Sequence, residues 1–197
     1  MAAVKSLCTK GIVLEYGKTK FIGDASSSVS IYLGGDNALN SNKKIYKDIL
    51  VEGKFKLNAI SMNSYGYSID DPLFENEQIQ LITDIDFQND NPSRYHVTYH
   101  LYNEMGEVLF SFYSPDNMKL EKGNNKIECI FPKYFFQPGN FSLAIFIVED
   151  KSKPIFIEKD VFTFTVIDGG RDIGAYLGRE PGYIRPQFVW QNQSLLK

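Results

Sequence analysis

Residues 95–102 read YHVTYHLY, and they set the fold class. Tyr95, Val97, Tyr99 and Leu101 alternate with His96, Thr98, His100 and Tyr102. A period of two is the mark of a strand with one apolar face and one polar face. The runs on either side read the same way. KFKLNAISM (54–62) sets Phe55, Leu57 and Ala59 against Lys54, Lys56 and Asn58, and QIQLITDIDF (78–87) sets Ile79, Leu81, Ile85 and Phe87 against Gln78, Gln80, Asp84 and Asp86. EVLFSFYS (107–114), NKIECIF (125–131), NFSLAIFIV (140–148) and PIFIEKDVFTFTV (154–166) continue the series. Between them stand turn signals: Asp90-Asn91-Pro92, Glu104-Met105-Gly106, Ser114-Pro115-Asp116-Asn117, Lys122-Gly123-Asn124 and Gln137-Pro138-Gly139-Asn140. Short alternating runs at this spacing, with no helical period between them, predict an antiparallel β-sandwich.

Composition agrees. The 197 residues include 15 Phe and 12 Tyr against one Trp, and such rings favour half-buried pleated surfaces. Tyrosine also offers a flat apolar face with a polar tip, a combination suited to gripping sugars. The net charge of −3 and the lack of a basic block argue against nucleic acid or an anionic membrane as partner. Cys8 and Cys129 stand far apart with no CxxC spacing, which fits free thiols in a reducing compartment. With no apolar leader and no run long enough to span a bilayer, a cytoplasmic chain is expected.

The chain divides into four stretches. In residues 1–34 a short helical pattern (Val4, Leu7, Cys8) is followed by a strand, a tight turn at Gly17, a second strand and a capped helix start in ASSSVSIYL. Residues 35–52, rich in Gly, Asn, Ser and Lys, read as a linker. Residues 53–167 hold the alternating runs. Residues 168–197 are Gly-, Pro- and Arg-rich and read as an extended arm, with Phe188, Val189 and Trp190 as a terminal apolar anchor.

Three chemistries are tested against these residues. His96, His100 and Glu104 form an H-x3-H-x3-E pattern that would hold a metal on a helix. On a strand, however, four residues separate the histidines by about 13 Å, too far to share one ion. No metal and no cofactor are expected. A nucleophile elbow and a phosphate-binding GxxxxGK[ST] loop are both absent, and the acidic pairs Asp70-Asp71 and Asp84/Asp86 have no separation that a sequence can fix. The polar row His96, Thr98, His100 and Tyr102 remains, supplying donors, acceptors and an aromatic ring for a hydroxyl-rich ligand. Arg94 is a candidate partner for an anionic group on it. The alternative for this row is an ordinary solvated sandwich face.

Two segments together carry a family resemblance. VKSLCTKGIVLEYGKTKFIGDASSSVSIYL (4–33) resembles the closing stretch of an ABC-transporter ATPase domain. The rest resembles the C-terminal domain of the Wzt-type ATPases, which export O-antigen and related polysaccharides. The matching residues are Gln137 to Leu143, Phe162 to Val166, and the tail GAYLGREPGYIRPQFVW (174–190). The resemblance implies an immunoglobulin-like or jelly-roll sandwich that binds the modified non-reducing end of a polysaccharide and gives the exporter its specificity. It implies a homodimer with exchanged C-terminal strands, and a membrane-spanning transporter subunit as partner, reached through an ATPase domain at the inner face of the inner membrane. The family's Walker A loop, signature motif and switch histidine have no counterpart here, so no catalysis is expected of this chain. The family supplies no shared ligand motif, and no binding residue carries over. Two other readings stay open: a sugar-modifying jelly-roll enzyme or glycosidase, and a structural dimerisation domain.

Overall fold

A computed structural model describes residues 7–15, 17–25, 28, 32, 42–47, 49–170 and 181–191. Val4 of the N-terminal helical pattern, most of the helix start ASSSVSIYL, residues 35–41 of the linker stretch and residues 171–180 of the arm lie outside them.

Among the described residues twelve strands form three sheets. Strands β1 (Lys10–Glu15) and β2 (Lys18–Asp24) make a separate antiparallel hairpin around Gly17, whose φ of 77° suits a residue without Cβ. The first sandwich sheet runs β10 (Gly123–Phe131), β7 (Ile79–Phe87), β5 (Phe55–Ser64), β3 (Lys43–Ile45), with β4 (Leu50–Val51) also paired to β5. The second runs β6 (Leu73–Phe74), β12 (Lys153–Ile167), β11 (Gly139–Glu149), β8 (Tyr95–Asn103), β9 (Val108–Tyr113). All pairs are antiparallel except β6 with β12. The class is therefore an all-β sandwich, as the alternation predicts.

The core lies between these two sheets and is made by the inward half of each alternation. Ile79, Leu81, Ile85 and Phe87 of β7 face Val97, Tyr99 and Leu101 of β8, all essentially buried. In β5 the pattern slips. A register shift between Leu57 and Ala59 turns Ile60 and Met62 inward, so Ala59 is not the third core residue that strict alternation predicts. Thr83 shares the inward face of β7 because its hydroxyl is hydrogen-bonded to the Tyr99 hydroxyl, which satisfies two buried polar groups at once. Burial pushes the Tyr99 phenol well above its ordinary range.

The edges of the sandwich are closed differently. On one side Phe112, Phe131, Phe136, Phe141 and Phe164 form a chain of ring contacts with centroids 4.9–5.8 Å apart. On the other, the Lys44 ammonium donates to Glu158 at 2.6 Å and the Tyr46 hydroxyl donates to the same carboxylate, tying β3 to β12. Strands β3 and β4 fall in the stretch 35–52 that composition marks as a linker. Only a few of its described residues pair with β5, and strands of two or three residues are too short to show an alternation.

The C-terminal arm returns to the sandwich. Ile184 bridges to Phe136, the Gln137 amide donates to the Tyr183 carbonyl at 2.9 Å, and the Arg185 amide donates to the Phe135 carbonyl at 2.6 Å. Arg185 Nη1 donates to Glu75 Oε2 at 2.8 Å, and the Glu75 side chain is fully buried. Tyr183 and Ile184 thus anchor the arm by packing on the core. Phe188, Val189 and Trp190, read from sequence as the anchor, are 70%, 89% and 90% exposed.

Candidate functional site

Strand β8 carries the predicted polar row. Its burial alternates without interruption from Tyr95 to Asn103, so His96, Thr98, His100 and Tyr102 all stand half-buried on the outer face of the second sheet. The strand ends where Asn103 caps the turn. The Asn103 carboxamide oxygen accepts from the amides of Met105 and Glu107, both at 2.9 Å, and Gly106 takes φ 77°.

Cross-strand register brings the row its neighbours, which no single strand reveals. On β11, Ser142 pairs with Tyr102, Ala144 with His100, Phe146 with Thr98 and Val148 with His96. On β9, Ser111 pairs with His100 and Tyr113 with Thr98. On β12, Thr163 pairs with Ser142 and Ile157 with Phe146. Paired residues of an antiparallel ladder point to one face. The outer surface is therefore a platform: the His100 imidazole lies 4.3 Å from the Phe146 ring and 6.3 Å from the Tyr102 ring, centroid to centroid. Hydroxyls of Thr98, Tyr102, Ser111, Ser142 and Thr163 belong to the same rows.

Arg94 is set apart from this platform. It ends a single 3-10 turn before β8 and is clamped by Asp150, with Nε donating at 2.9 Å, while Glu149 lies 3.5 Å from Nη2. The pairing raises the guanidinium further above its ordinary range and holds the Asp150 carboxyl below the usual carboxylate range. At the same end of the face, His96 Nδ1 lies 3.7 Å from Asp116, and Lys151 donates to Asp116 at 2.6 Å. That contact depresses the Asp116 carboxyl. The structure brings His96, Thr98, His100 and Tyr102 together and gives Arg94 to a neighbouring ionic cluster.

The outer face of the first sheet has a different character. Lys56 pairs across strands with Asp86, and Asp84 with Lys126. Asn58 donates to Asp84 at 2.9 Å and Gln80 to Glu128 at 2.6 Å. This is a charged, self-satisfied surface of the solvated kind. A small cleft between β9 and β10, lined by Tyr99, Phe112, Met118, Ile127 and Cys129 among others, is chiefly apolar. Burial pushes the Cys129 thiol up, away from reactivity. Among the described residues no group of three His, Cys, Asp or Glu side chains is placed to hold a metal ion. Their helices include none long and apolar enough to cross a membrane.

The fold and this face define an all-β sandwich with an outer surface whose paired rows, among the described residues, carry rings and hydroxyls and no charged side chain. Among solved structures, the chain is similar to the C-terminal domain of wzt, with 14% identity, a TM-score of 0.52, and coverage of 72% of this chain and 93% of that one. A β-glucuronidase of Parabacteroides merdae also matches, at 14% identity and a TM-score of 0.35, over 57% of this chain and 14% of that enzyme. The first likeness speaks for the shared fold, and the second is too distant to carry an argument. No family model and no curated protein sequence matches the chain.

Proposed function

We propose that this chain is a non-catalytic carbohydrate-binding domain of a polysaccharide exporter, reading the non-reducing terminus of an O-antigen-type polymer on the outer face of its second sheet. The observation that carries the reading is the platform itself. His100, Phe146 and Tyr102 offer ring faces to sugar C–H groups, while Thr98, Ser111, Ser142 and the two imidazoles offer hydrogen bonds to hydroxyls. The likeness to the C-terminal domain of wzt supports the same reading at the level of fold. In this proposal the domain confers substrate specificity on an ABC transporter at the cytoplasmic face of the inner membrane. It works as a homodimer and reaches the membrane-spanning subunit through an ATPase domain.

Retention on an immobilised O-antigen-type polysaccharide, competed by the free polymer, tests the binding claim. Passage through the column without retardation would sink it. A second reading, a domain whose role is association alone, is favoured by the exposed Phe188, Val189 and Trp190. These three adjoining apolar side chains at the end of a docked arm could enter a second copy. Sedimentation and polysaccharide retention of the full chain and of one ending at Gln187 separate the two: under that second reading dimers are lost on truncation and no saccharide is bound by either form.

A further inference from the structure

On the reading that this platform binds saccharide, we infer that its ligand is an uncharged sugar with one apolar edge, of the 6-deoxyhexose kind, and not an acidic or phosphorylated one.

In the paired rows of the face, the positions on β8, β9, β11 and β12 hold no Asp, Glu, Lys or Arg among the described residues. The charges at its margins are already committed. Arg94 is held by Asp150 and Glu149, Lys54 by Glu149 at 2.7 Å, and Lys151 by Asp116. Lys153 stands opposite Glu149 in the β11–β12 ladder and adds to the field that lowers its carboxyl. Lys159 sits in the β12 bulge beside Asp160, one charge of each sign. An anionic ligand here would lose its hydration and find, among the described residues, no unengaged arginine to replace it, a cost that ring contacts do not offset.

Shape supplies the second part. The polar residues do not cover the platform evenly. Thr98, His100, Tyr102 and Ser111 occupy β8 and β9, with Ser142 and Thr163 continuing the Tyr102 row. Phe146, Val148 and Ile157 make a contiguous apolar patch on β11 and β12 beside the fully buried Ala144, and Ile157 is 50% exposed. A pyranose whose hydroxyls lie along one edge and whose methyl lies on another matches this division. A fully hydroxylated hexose would press a hydroxyl onto the Phe146 and Ile157 side, leaving it without a partner.

The test is a binding series on the wild-type chain with four oligosaccharide probes of equal length: 6-deoxyhexose, neutral hexose, hexuronic acid and phosphorylated hexose. The expected order is 6-deoxyhexose above hexose by about fourfold, the increment of one buried methyl, and both well above the two anionic probes. Affinity for the 6-deoxyhexose probe stays within about twofold between about 50 and about 500 mM NaCl, because no ion pair is there to be screened. Ile157→Lys, at an exposed position that leaves the core intact, weakens the 6-deoxyhexose probe and strengthens the hexuronic acid probe. Tighter binding of either anionic probe by the wild type, or a steep fall in affinity with salt, overturns the inference and leaves the carbohydrate reading standing. Binding of no probe overturns both.

Discussion

His100 and Phe146 face each other across the β8–β11 pair, with ring centroids 4.3 Å apart and planes inclined at 38°. One residue comes from a polar alternation and the other from an apolar run, yet register puts both on the outer surface. The contact forms the centre of the platform, so it is the first place to disturb.

His100→Ala and Phe146→Ala are each expected to weaken oligosaccharide binding about tenfold, the scale of one hydrogen bond or one stacked ring. Both side chains lie outside the sandwich core, so the melting temperature should move little. Calorimetric titration and thermal unfolding, run on the same preparations, distinguish a lost contact from a lost fold.

Arg185 and Glu75 form a second decisive pair, because the carboxylate is fully buried and the arm is held partly through it. Arg185→Ala removes one charge-assisted hydrogen bond from that carboxylate and should cost about 1–3 kcal/mol in urea unfolding. The double variant Glu75→Gln with Arg185→Ala should recover part of the loss. A single variant as stable as wild type would show that the Arg185–Glu75 pair contributes nothing to the fold.

Thr83 and Tyr99 join the two sheets through one buried hydrogen bond. Tyr99→Phe strands the threonine hydroxyl and should cost about 1–3 kcal/mol, whereas Tyr99→Phe with Thr83→Val, which removes both partners, should come close to neutral. A double-mutant cycle in urea reads the coupling directly.

The ionic cluster at the β11–β12 turn predicts a sign for pH. Lys54 holds Glu149 below the ordinary carboxylate range, and Arg94 and Lys151 do the same for Asp150 and Asp116. A depressed folded value means that the stabilisation is fully present above the unfolded value, about pH 4, and is lost as pH falls through the folded one. Arg94→Gln should therefore be less stable than wild type at neutral pH, and the gap should narrow in acid. A gap that widens as pH falls contradicts the pairing.

Much of this fold is legible in sequence where alternation runs unbroken. YHVTYHLY gives both faces of β8 correctly, and Ile79, Leu81, Ile85 and Phe87 are all core. The reading weakens where strands bulge. Ala59 falls out of phase after the shift in β5, and β12 carries extra residues around Lys159 that no period describes. The site was half legible. His96, Thr98, His100 and Tyr102 share a strand and can be found from it. Phe146, Ser142 and Ser111 come from strands that pair with β8 through long-range register, which periodicity does not encode. Arg94 illustrates the same limit. Its partner Asp150 is 56 positions away, brought close by the turn that joins β11 to β12.

The central claim is that the outer face of the second sheet reads the end of a polysaccharide chain. Its most direct test is a calorimetric titration of the wild-type chain with one O-antigen-type polysaccharide, intact and with its non-reducing terminal residue removed. The account predicts that removal of the terminus weakens binding at least about tenfold, the scale of one well-made contact set, and that His100→Ala is indifferent to the trimming. Equal affinity for the intact and trimmed polymers would contradict it.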